Sequence, residues 1–462
     1  MRAVTRRAVG GLGVVALTAV GFAVPAHAAD TPLPVTITGP DRVDLSLVPD
    51  DNGDPTEPQV RLGLRAPGES VPDENGIIYP IHQGDYRITI DASELAGVAS
   101  VDFPCPAQGL IAVCDAYEIY AGEEYNRTIG VRLDVAADSA AGDFGTIKVT
   151  GEGAGLDFTS HTVGVLVGGP ELWMRQLAEP AGFAAGDTYP ASLGFRNVGG
   201  LGGQGVVLRV WGSRGLTFAD AYSNCSYERG DRDDPYARNA AVCVFDDAFE
   251  AGTAYGLSKP FRVRTAGFAL DDVLSYSFSE VPVAQARHLL AEPGHPMGDG
   301  ERLTLVPRPG ADPGDYARYA ELDFPTRNTY DLDLTGDTAR GREGDTVRLQ
   351  VGFRNHGPAW LALLRAGGES IGFHVDIPAG ATVTRHPDTC FPQDWEGAEG
   401  DYLCWISTPI MEDDVRAFPF ELRIDQVVDN ARGSAYFPHA QPKESRPSND
   451  SATLVLNPSA HG

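Results

Sequence analysis

The sequence predicts an all-β chain of tandem antiparallel β-sandwich domains, and three observations carry this prediction. The 462 residues include 54 Gly and 34 Pro, which favour short strands joined by many turns over long helices. Apolar and polar side chains alternate with a period of two in several segments, as in a strand that is buried on one face. Short motifs also recur along the chain, as expected when one fold is repeated.

The charge balance excludes one class of partner. The chain carries 64 acidic and 36 basic side chains, a formal net charge of −28 at pH 7. Nucleic-acid binding depends on Lys and Arg side chains that neutralise phosphates, and the sequence shows no basic run. We therefore expect no nucleic-acid partner.

The N-terminal segment 1–28 has the layout of a secretory signal peptide. Arginines at its start are followed by an apolar run over 8–24 and by the small residues Ala26 and Ala28 of a cleavage site. No later stretch reaches the roughly 18 apolar residues of a membrane span. We expect a secreted, extracellular protein with no membrane span in the mature chain. The C-terminus shows no sortase signal, so association with the cell wall is left open.

The first domain is placed at 30–168, and it is the most divergent copy. Its acidic segment contains Asp50, Asn52 and Asp54, which offer oxygen ligands at alternate positions as a calcium loop does. Pro55 and Arg61 stand where the EF-hand pattern needs Gly and Glu. A calcium site is therefore one interpretation of this segment, and a solvated acidic turn is the simpler one.

The second domain is placed at 170–310 because its motifs recur further along the chain. Gly-Asp-Thr at 186–188 and Gly-Phe-Arg-Asn at 194–197 recur with the same spacing at 344–346 and 352–355. Alternation over 189–195 predicts a strand, Asn197 suits a positive-φ turn position, and 283–290 is a short helix candidate.

Two further motifs of the second domain suggest chemistry. The pattern Gly-x-Gly-x-x-Gly at 200–205 resembles a dinucleotide loop, but a strand rather than a helix is predicted after it, so we expect a hairpin loop. Asp231, Asp233 and Asp234 form a second acidic loop with the same two interpretations as the first.

A connector rich in Pro, Gly and Asp is predicted at 311–328. It carries Tyr316, Tyr319 and Phe324, so packing against a neighbouring domain is an alternative to a free linker.

The third domain is placed at 329–457. Alternation predicts strands over 347–353 and 371–377, Asn355 suits a positive-φ turn position, and 359–365 is the second short helix candidate. Gly-x-Ser-x-Gly at 368–372 satisfies the hydrolase elbow pattern, but that elbow requires a helix where a strand is predicted. The acidic residues 412–414 are interpreted as a charged turn.

Six cysteines in an exported protein predict disulfides. They fall into three local couples, and none has the second Cys or His couple of a zinc site. We expect one bridge in each domain: Cys105 with Cys114, Cys225 with Cys243, and Cys390 with Cys404.

Four features of the third domain together resemble a known family. These are the segments 346–358, 377–383 and 449–453 and the cysteine pair, which are similar to the conserved Ig-like repeat of unknown function in bacterial cell-surface proteins, especially exported proteins of Streptomyces and related actinobacteria. The resemblance covers the third domain well, the second moderately and the first weakly. It implies an Ig-like sandwich used as a stalk, spacer or adhesive module outside the cell, without catalytic residues.

The sequence as a whole therefore predicts a secreted, cell-surface or extracellular structural or adhesive repeat protein that is not an enzyme and needs no cofactor. The alternative is an accessory module that binds carbohydrate or calcium. An extracellular protein or a cell-wall polysaccharide is the expected kind of partner, while the ligand and the oligomeric state are left open.

Overall fold

Strands dominate the chain because apolar and polar side chains alternate along most of its segments. The computed structural model describes residues 31–49, 58–290, 295–362, 364, 370–395, 397 and 399–459. The predicted fold class, all-β with mainly antiparallel sheets packed as sandwiches, is confirmed. The predicted signal peptide, 1–28, lies outside the described residues.

The first group of strands packs two sheets face to face around one apolar core. The sheet orders are β10-β1-β3-β8-β5 and β2-β11-β9-β4-β7-β6, and all pairs are antiparallel except β1 with β10 and β2 with β11. We call this group the first unit, and its strands are β1 (Leu33–Thr38), β2 (Arg42–Leu45), β3 (Gln59–Arg65), β4 (His82–Asp91), β5 (Ala99–Asp102), β6 (Ala107–Gln108), β7 (Ile111–Ile119), β8 (Ile129–Val135), β9 (Phe144–Gly153), β10 (Leu156–Thr159) and β11 (His161–Val167).

The second unit surrounds its core with three sheets. Their orders are β22-β19-β14-β12-β23, β13-β20-β16 and β17-β18-β15-β21-β24. The elements are β12 (Leu172–Arg175), β13 (Thr188–Ala191), β14 (Gly194–Asn197), β15 (Gly203–Ser213), β16 (Leu216–Phe218), β17 (Cys225–Glu228), β18 (Arg238–Phe249), β19 (Ala254–Leu257), β20 (Phe261–Thr265), β21 (Asp271–Glu280), α1 (Val283–Leu289), β22 (Leu305–Pro307), β23 (Tyr316–Ala317) and β24 (Ala320–Pro325).

The third unit is again a two-sheet sandwich with its own core. The sheet orders are β25-β27-β32-β29 and β26-β34-β33-β28-β31-β30. The strands are β25 (Leu332–Thr335), β26 (Thr338–Ala339), β27 (Thr346–Asn355), β28 (Ser370–Asp376), β29 (Ala381–Arg385), β30 (Cys390–Pro392), β31 (Tyr402–Ser407), β32 (Val415–Ile424), β33 (Ala431–Tyr436) and β34 (Ser451–Leu456).

The strands predicted in the third domain are present as β27 and β28, with Leu349, Val351 and Phe353 buried on one face of β27. The strand predicted over 189–195 is instead divided between two sheets, as β13 and β14. Pro190 lies in β13, at the edge of its sheet, where the missing N–H donor of proline is tolerated. The equivalent strand β27 has no proline inside it and runs unbroken.

Of the two predicted helices, the structure contains one. The prediction over 283–290 corresponds to α1, which packs Ala286 against Val207 and Val244 of the sheet below. The prediction over 359–365 is wrong where the chain is described. Leu361 there forms a β-bridge with Ile410, because the backbone pairs across the unit instead of with itself.

Neither repeat asparagine occupies a positive-φ position, although the second of the two predicted Asn-x-Gly turns has such a residue in Gly357. Asn197 and Asn355 end β14 and β27 and are fully buried. The Asn355 amide donates to the carbonyls of Ala359 and Met411, and its Oδ1 accepts from the Gly357 N–H. The left-handed backbone is taken by Gly357 itself, at φ 68°. The asparagine therefore holds the loop by its side chain.

The segment predicted as a connector, 311–328, contributes strands to the second unit. β23 pairs with β12, and β24 pairs with β21 over six residues of the large sheet. The rings of Tyr316 and Phe324 are buried, whereas Tyr319 is 81% exposed. Packing against a neighbour, the alternative to a free linker, is thus what the structure contains. The division into domains stays a proposal, with the second boundary moved to about 328.

Candidate functional site

The structure places the candidate chemical motifs in ordinary strand and loop positions, or outside the described residues. Asp50, Asn52 and Asp54 lie outside the described residues, so the calcium site there stays a prediction. Asp231, Asp233 and Asp234 are exposed, and Asp231 and Asp234 bond to backbone N–H groups of their own loop. In the described part of the chain, no group of three or more His, Cys, Asp or Glu side chains is placed to hold a metal ion.

The two glycine-rich motifs serve packing. Gly200, in the dinucleotide-like pattern, lies against the first unit, and a Cβ there would stand 2.5 Å from the Cβ of Ala141. The pattern leads directly into β15, so there is no helix N-terminus to receive a pyrophosphate at this point. Ser370 of the elbow pattern begins β28 and pairs with Ser407 in a regular ladder.

The three predicted disulfides are present, and each lies at the edge of a sheet with five or six strands. Cys225 lies directly opposite Cys243 across β17 and β18, and Cys390 lies opposite Cys404 across β30 and β31. Cys105 joins the segment that leads into β6 to Cys114 of β7. A bonded edge strand cannot peel away to pair with another chain, which is the usual hazard of an open sheet edge.

A buried ion pair joins the second unit to the third. Arg214 follows β15, and Glu412 lies in the loop between β31 and β32. The guanidinium donates through Nη1 to Oε2 at 2.9 Å and through Nη2 to Oε1 at 3.0 Å. The side chains of Arg214 and Glu412 are only 3% and 14% exposed. We call this contact and the groups around it the second joint.

Aromatic rings enclose the cation of the second joint. The guanidinium carbon lies 4.1 Å from the ring centre of Phe268, in the second unit, and 5.2 Å from that of Trp360, in the third. The Nε of Arg214 donates to the carbonyl of Arg232 at 2.7 Å. Planar stacking together with a forked hydrogen bond is what a guanidinium can do and an ammonium cannot. The cation is therefore specified by its geometry as well as by its charge.

A buried carboxylate holds the loop that carries Arg214. Asp272 accepts hydrogen bonds from the Ser213 hydroxyl at 2.6 Å, the Gly215 N–H at 2.9 Å and the Leu270 N–H at 3.2 Å. A Cβ at Gly215 would stand 2.2 Å from this carboxylate, so only glycine fits beside it. Asp272 thereby fixes the backbone on both sides of Arg214.

The two carboxylates have pKa values shifted in opposite directions. Burial raises the pKa of Asp272 above its ordinary value, although its three hydrogen-bond donors act to lower it. Burial also acts to raise the pKa of Glu412, but the hydrogen bonds and the charge of Arg214 outweigh burial and leave that pKa below its ordinary value. Glu412 is thus held ionised by its partner.

Hydrogen bonds also hold the chain segment between the second and third units. The Thr326 N–H donates to the Leu270 carbonyl at 2.6 Å, and the Asn328 amide donates to the carbonyls of Gly267 and Ala269, both at 2.9 Å. Leu270 belongs to the second unit in sequence but packs in the core of the third. The second joint is therefore continuous with an apolar core.

The first and second units meet at a more open contact, the first joint. Glu171 accepts from the Trp173 indole at 2.9 Å and from the Ser46 hydroxyl, and it pairs with Arg318 at 2.9 Å. Arg42 pairs with Glu280 at 3.1 Å. The arginines here are 23% and 43% exposed, so water screens this joint more than the second one.

The contact between Arg214 and Glu412 in the second joint was not predicted from the sequence. The turn predicted over 412–414 is present at Glu412 and Asp413, but Glu412 is largely buried against another unit. One signal was available, because Arg214 precedes the repeat-matched Gly215 where the third domain has Ala379 before Gly380. A charge present in one copy alone marks a contact that the other copy does not make.

Among the described residues, no helix has the length and apolar character needed to cross a membrane.

Comparisons with known proteins give weak similarities. No family model and no curated protein matches the chain. Among solved structures, the Escherichia coli adhesin FdeC is 10% identical, with 92% of this chain and 96% of that chain covered and a TM-score of 0.19. A putative membrane anchored protein from Corynebacterium diphtheriae is also 10% identical, with 91% of each chain covered and a TM-score of 0.14. The C-terminal domain of the Streptococcus agalactiae AgI/II polypeptide BspA is 10% identical, with coverage of 54% and 96% and a TM-score of 0.17. At these TM-scores, function must be inferred from the geometry of this chain itself.

Proposed function

We propose that the protein is a secreted, non-catalytic structural or adhesive protein of the cell surface, in which three β-sandwich units are held in a fixed row. The units would span about 31–168, 170–328 and 329–457. The single observation that carries this proposal is the second joint, where a buried Arg214–Glu412 pair fixes the orientation of one unit on the next.

The physics of the second joint favours a fixed arrangement over a flexible one. Removing two charges from water costs several kcal/mol for each ion unless geometry and hydrogen bonds compensate. A linker that only tethers two domains has no need of such a pair. A protein that presents a binding surface at a distance from the cell, or that carries force, gains from units that cannot rotate freely about each other.

The disulfides support an extracellular, load-bearing role. Bridges of this kind form and persist in oxidising surroundings outside the cytosol. Each one closes a loop of 9, 18 or 14 residues at a sheet edge, where unfolding under tension would begin if the edge strand were free. The bridges would reduce the length of chain that is released when a unit unfolds under tension.

Single-molecule pulling of the mature, oxidised chain tests the structural role. We expect three discrete unfolding steps, one for each unit, and each step should release more chain after the disulfides are reduced. A continuous extension without steps would contradict a row of separately folded units.

A screen on substrates of extracellular hydrolases tests the non-catalytic part. We expect no turnover above that of a heat-denatured sample. Turnover that disappears when one carboxylate is replaced by its amide would identify an enzyme and overturn the proposal.

A further inference from the structure

A cavity of about 570 Å³ lies at the β22-β19-β14-β12-β23 sheet of the second unit. The segment 308–315 links β22 at one edge of this sheet to β23 at the other, and it forms one wall. The volume of the cavity is typical of a site for a small organic ligand and exceeds what a lone inorganic anion needs.

Positive charge is concentrated around this cavity. Arg175, Lys259 and Arg308 line it, and Asp315 is the one carboxylate among the lining residues of the described chain. Lys259 is neutralised by Glu301. Neither Arg175 nor Arg308, by contrast, belongs to an ion pair in the described ranges, although Asp315 lines the same cavity. Both arginines are exposed, so their guanidinium groups are accessible to a ligand.

The backbone is shaped to keep Arg308 at this position. Gly256 of β19 has no side chain, and a Cβ there would stand 2.7 Å from the Nε of Arg308. The Nη2 of Arg308 donates to the Leu257 carbonyl at 3.2 Å, which leaves its other donors available. On the opposite side, Arg175 of β12 lies across from Tyr316 of β23.

The other walls of the cavity combine polar and uncharged groups. Ser192 and Ser258 contribute hydroxyl groups, and Pro260, Pro307 and Pro309 supply rigid, uncharged surface. Guanidinium groups bind carboxylate and phosphate oxygens through two parallel hydrogen bonds. The combination of two guanidinium groups with hydroxyl groups and uncharged surface fits an anionic group attached to a ring-shaped carrier.

We propose that this cavity binds the anionic group of an acidic extracellular glycan, with Arg175 and Arg308 as the two anion-binding side chains. The anion is a carboxylate or a phosphate ester, which both present the required oxygens. The site lies within one unit and does not depend on the joints, but its extracellular ligand rests on the secreted location proposed above.

The test measures binding of the full mature chain to three immobilised polymers. Polygalacturonate supplies carboxylates, poly(glycerol phosphate) supplies phosphates, and dextran is the neutral reference. We expect binding to at least one charged polymer and none to dextran, and the preferred polymer identifies the anion. Arg175→Ala with Arg308→Ala should weaken that binding by about tenfold or more. Failure to bind either charged polymer would overturn the proposal.

Two further variants separate a built site from general charge. Arg61→Ala with Arg65→Ala removes the same charge from exposed positions on β3 and should change binding by less than about twofold. Gly256→Val keeps both arginines but displaces Arg308, and it should weaken binding as the arginine variant does. Thermal unfolding of each variant confirms that it is folded. Equal loss in the β3 variant, or unchanged binding by the valine variant, would show that this cavity is not the site.

Discussion

The Arg214–Glu412 pair shows how one residue can set the arrangement of two units. Its charges are largely removed from water, so the interaction is favourable only while both partners and the surrounding donors are in place. Glu412 also pairs with Arg232 at 3.2 Å, but that side chain is 71% exposed. The two arginines touch the same carboxylate and differ chiefly in burial, which makes them a matched pair for mutation.

We expect Arg214→Ala to loosen the second joint by about 3 kcal/mol, because the Glu412 carboxylate is left without its buried partner. The backbone N–H of Trp360 donates to the backbone carbonyl of Phe268 across the joint. Hydrogen exchange at the Trp360 amide therefore reports opening of the joint. Exchange there should be about 100-fold faster in the variant, provided that exchange follows opening.

The control for this experiment is Arg232→Ala, which removes an exposed partner of the same carboxylate. It should cost less than about 1 kcal/mol and accelerate exchange at Trp360 only slightly. Similar acceleration in both variants would mean that burial of the cation does not hold the joint.

The pKa of Glu412 predicts how acid acts on the second joint. A pKa held below the ordinary value of 4.5 in the folded protein gives stability that is fully present above 4.5 and is lost as the pH falls through the lower, folded pKa. The advantage of the wild type over Glu412→Gln should therefore be constant near neutral pH and shrink below about pH 4.5.

Thermal unfolding of the wild type and of Glu412→Gln over this pH range measures the difference in stability. The contribution of Asp272, whose pKa is raised, cancels in this difference because both proteins contain Asp272. Glu343→Gln, at an exposed turn position, is the control for the loss of one exposed carboxylate. An advantage that grows as the pH falls would contradict a lowered pKa for Glu412.

At the scale of elements, the alternation of apolar and polar side chains predicted which segments are strands. It did not predict how those strands pair in sheets. The apolar face of β27 follows directly from its sequence, because burial of every second side chain is a local property of a strand. The division of 189–195 between β13 and β14 depends on which sheets lie on each side, and no local pattern encodes that. The roles of Asn197 and Asn355 were mistaken for the same reason, since Met411, an acceptor for Asn355, lies 56 residues away.

The disulfides were predictable because their cysteines are close in sequence as well as in space. Their position at sheet edges was not, since edge and centre differ only in the order of strands. The bridge from Cys225 to Cys243 holds β17 at one edge of a sheet whose other edge is β24. The two edges of this one sheet allow an internal comparison.

We expect Cys225→Ala with Cys243→Ala to lower the free energy of unfolding of the second unit by about 3 kcal/mol, because the unfolded chain loses a constraint and β17 loses its covalent attachment to β18. Amide exchange should accelerate most in β17, which the bridge clamps, and least in β24 at the opposite edge. Hydrogen exchange followed by mass spectrometry resolves the two strands. Equal acceleration at both edges would contradict a local clamp.

At the scale of the whole molecule, the repeat predicted separate cores but did not reveal how they are joined. Arg214 and Glu412 lie 198 residues apart, and no spacing rule links residues so distant in sequence. The segment 311–328 follows the packing alternative of its prediction, because β24 pairs with β21 of a large sheet that only the folded chain assembles. The joints between units belong to the assembled molecule and are specified by side chains that the repeat does not share.

A fixed second joint predicts one arrangement of the second and third units in solution. Small-angle X-ray scattering of the mature chain should give a narrower distribution of distances than that of a variant in which this joint is broken. Arg214→Ala with Glu412→Ala removes both charges without leaving either one unpaired, so the units should stay folded while the distribution of distances broadens. Lys443→Ala, which breaks only the exposed pair with Asp271, should scatter as the wild type does. If the distribution of distances were as broad for the wild type as for the double variant, the buried pair would not fix the arrangement of the units.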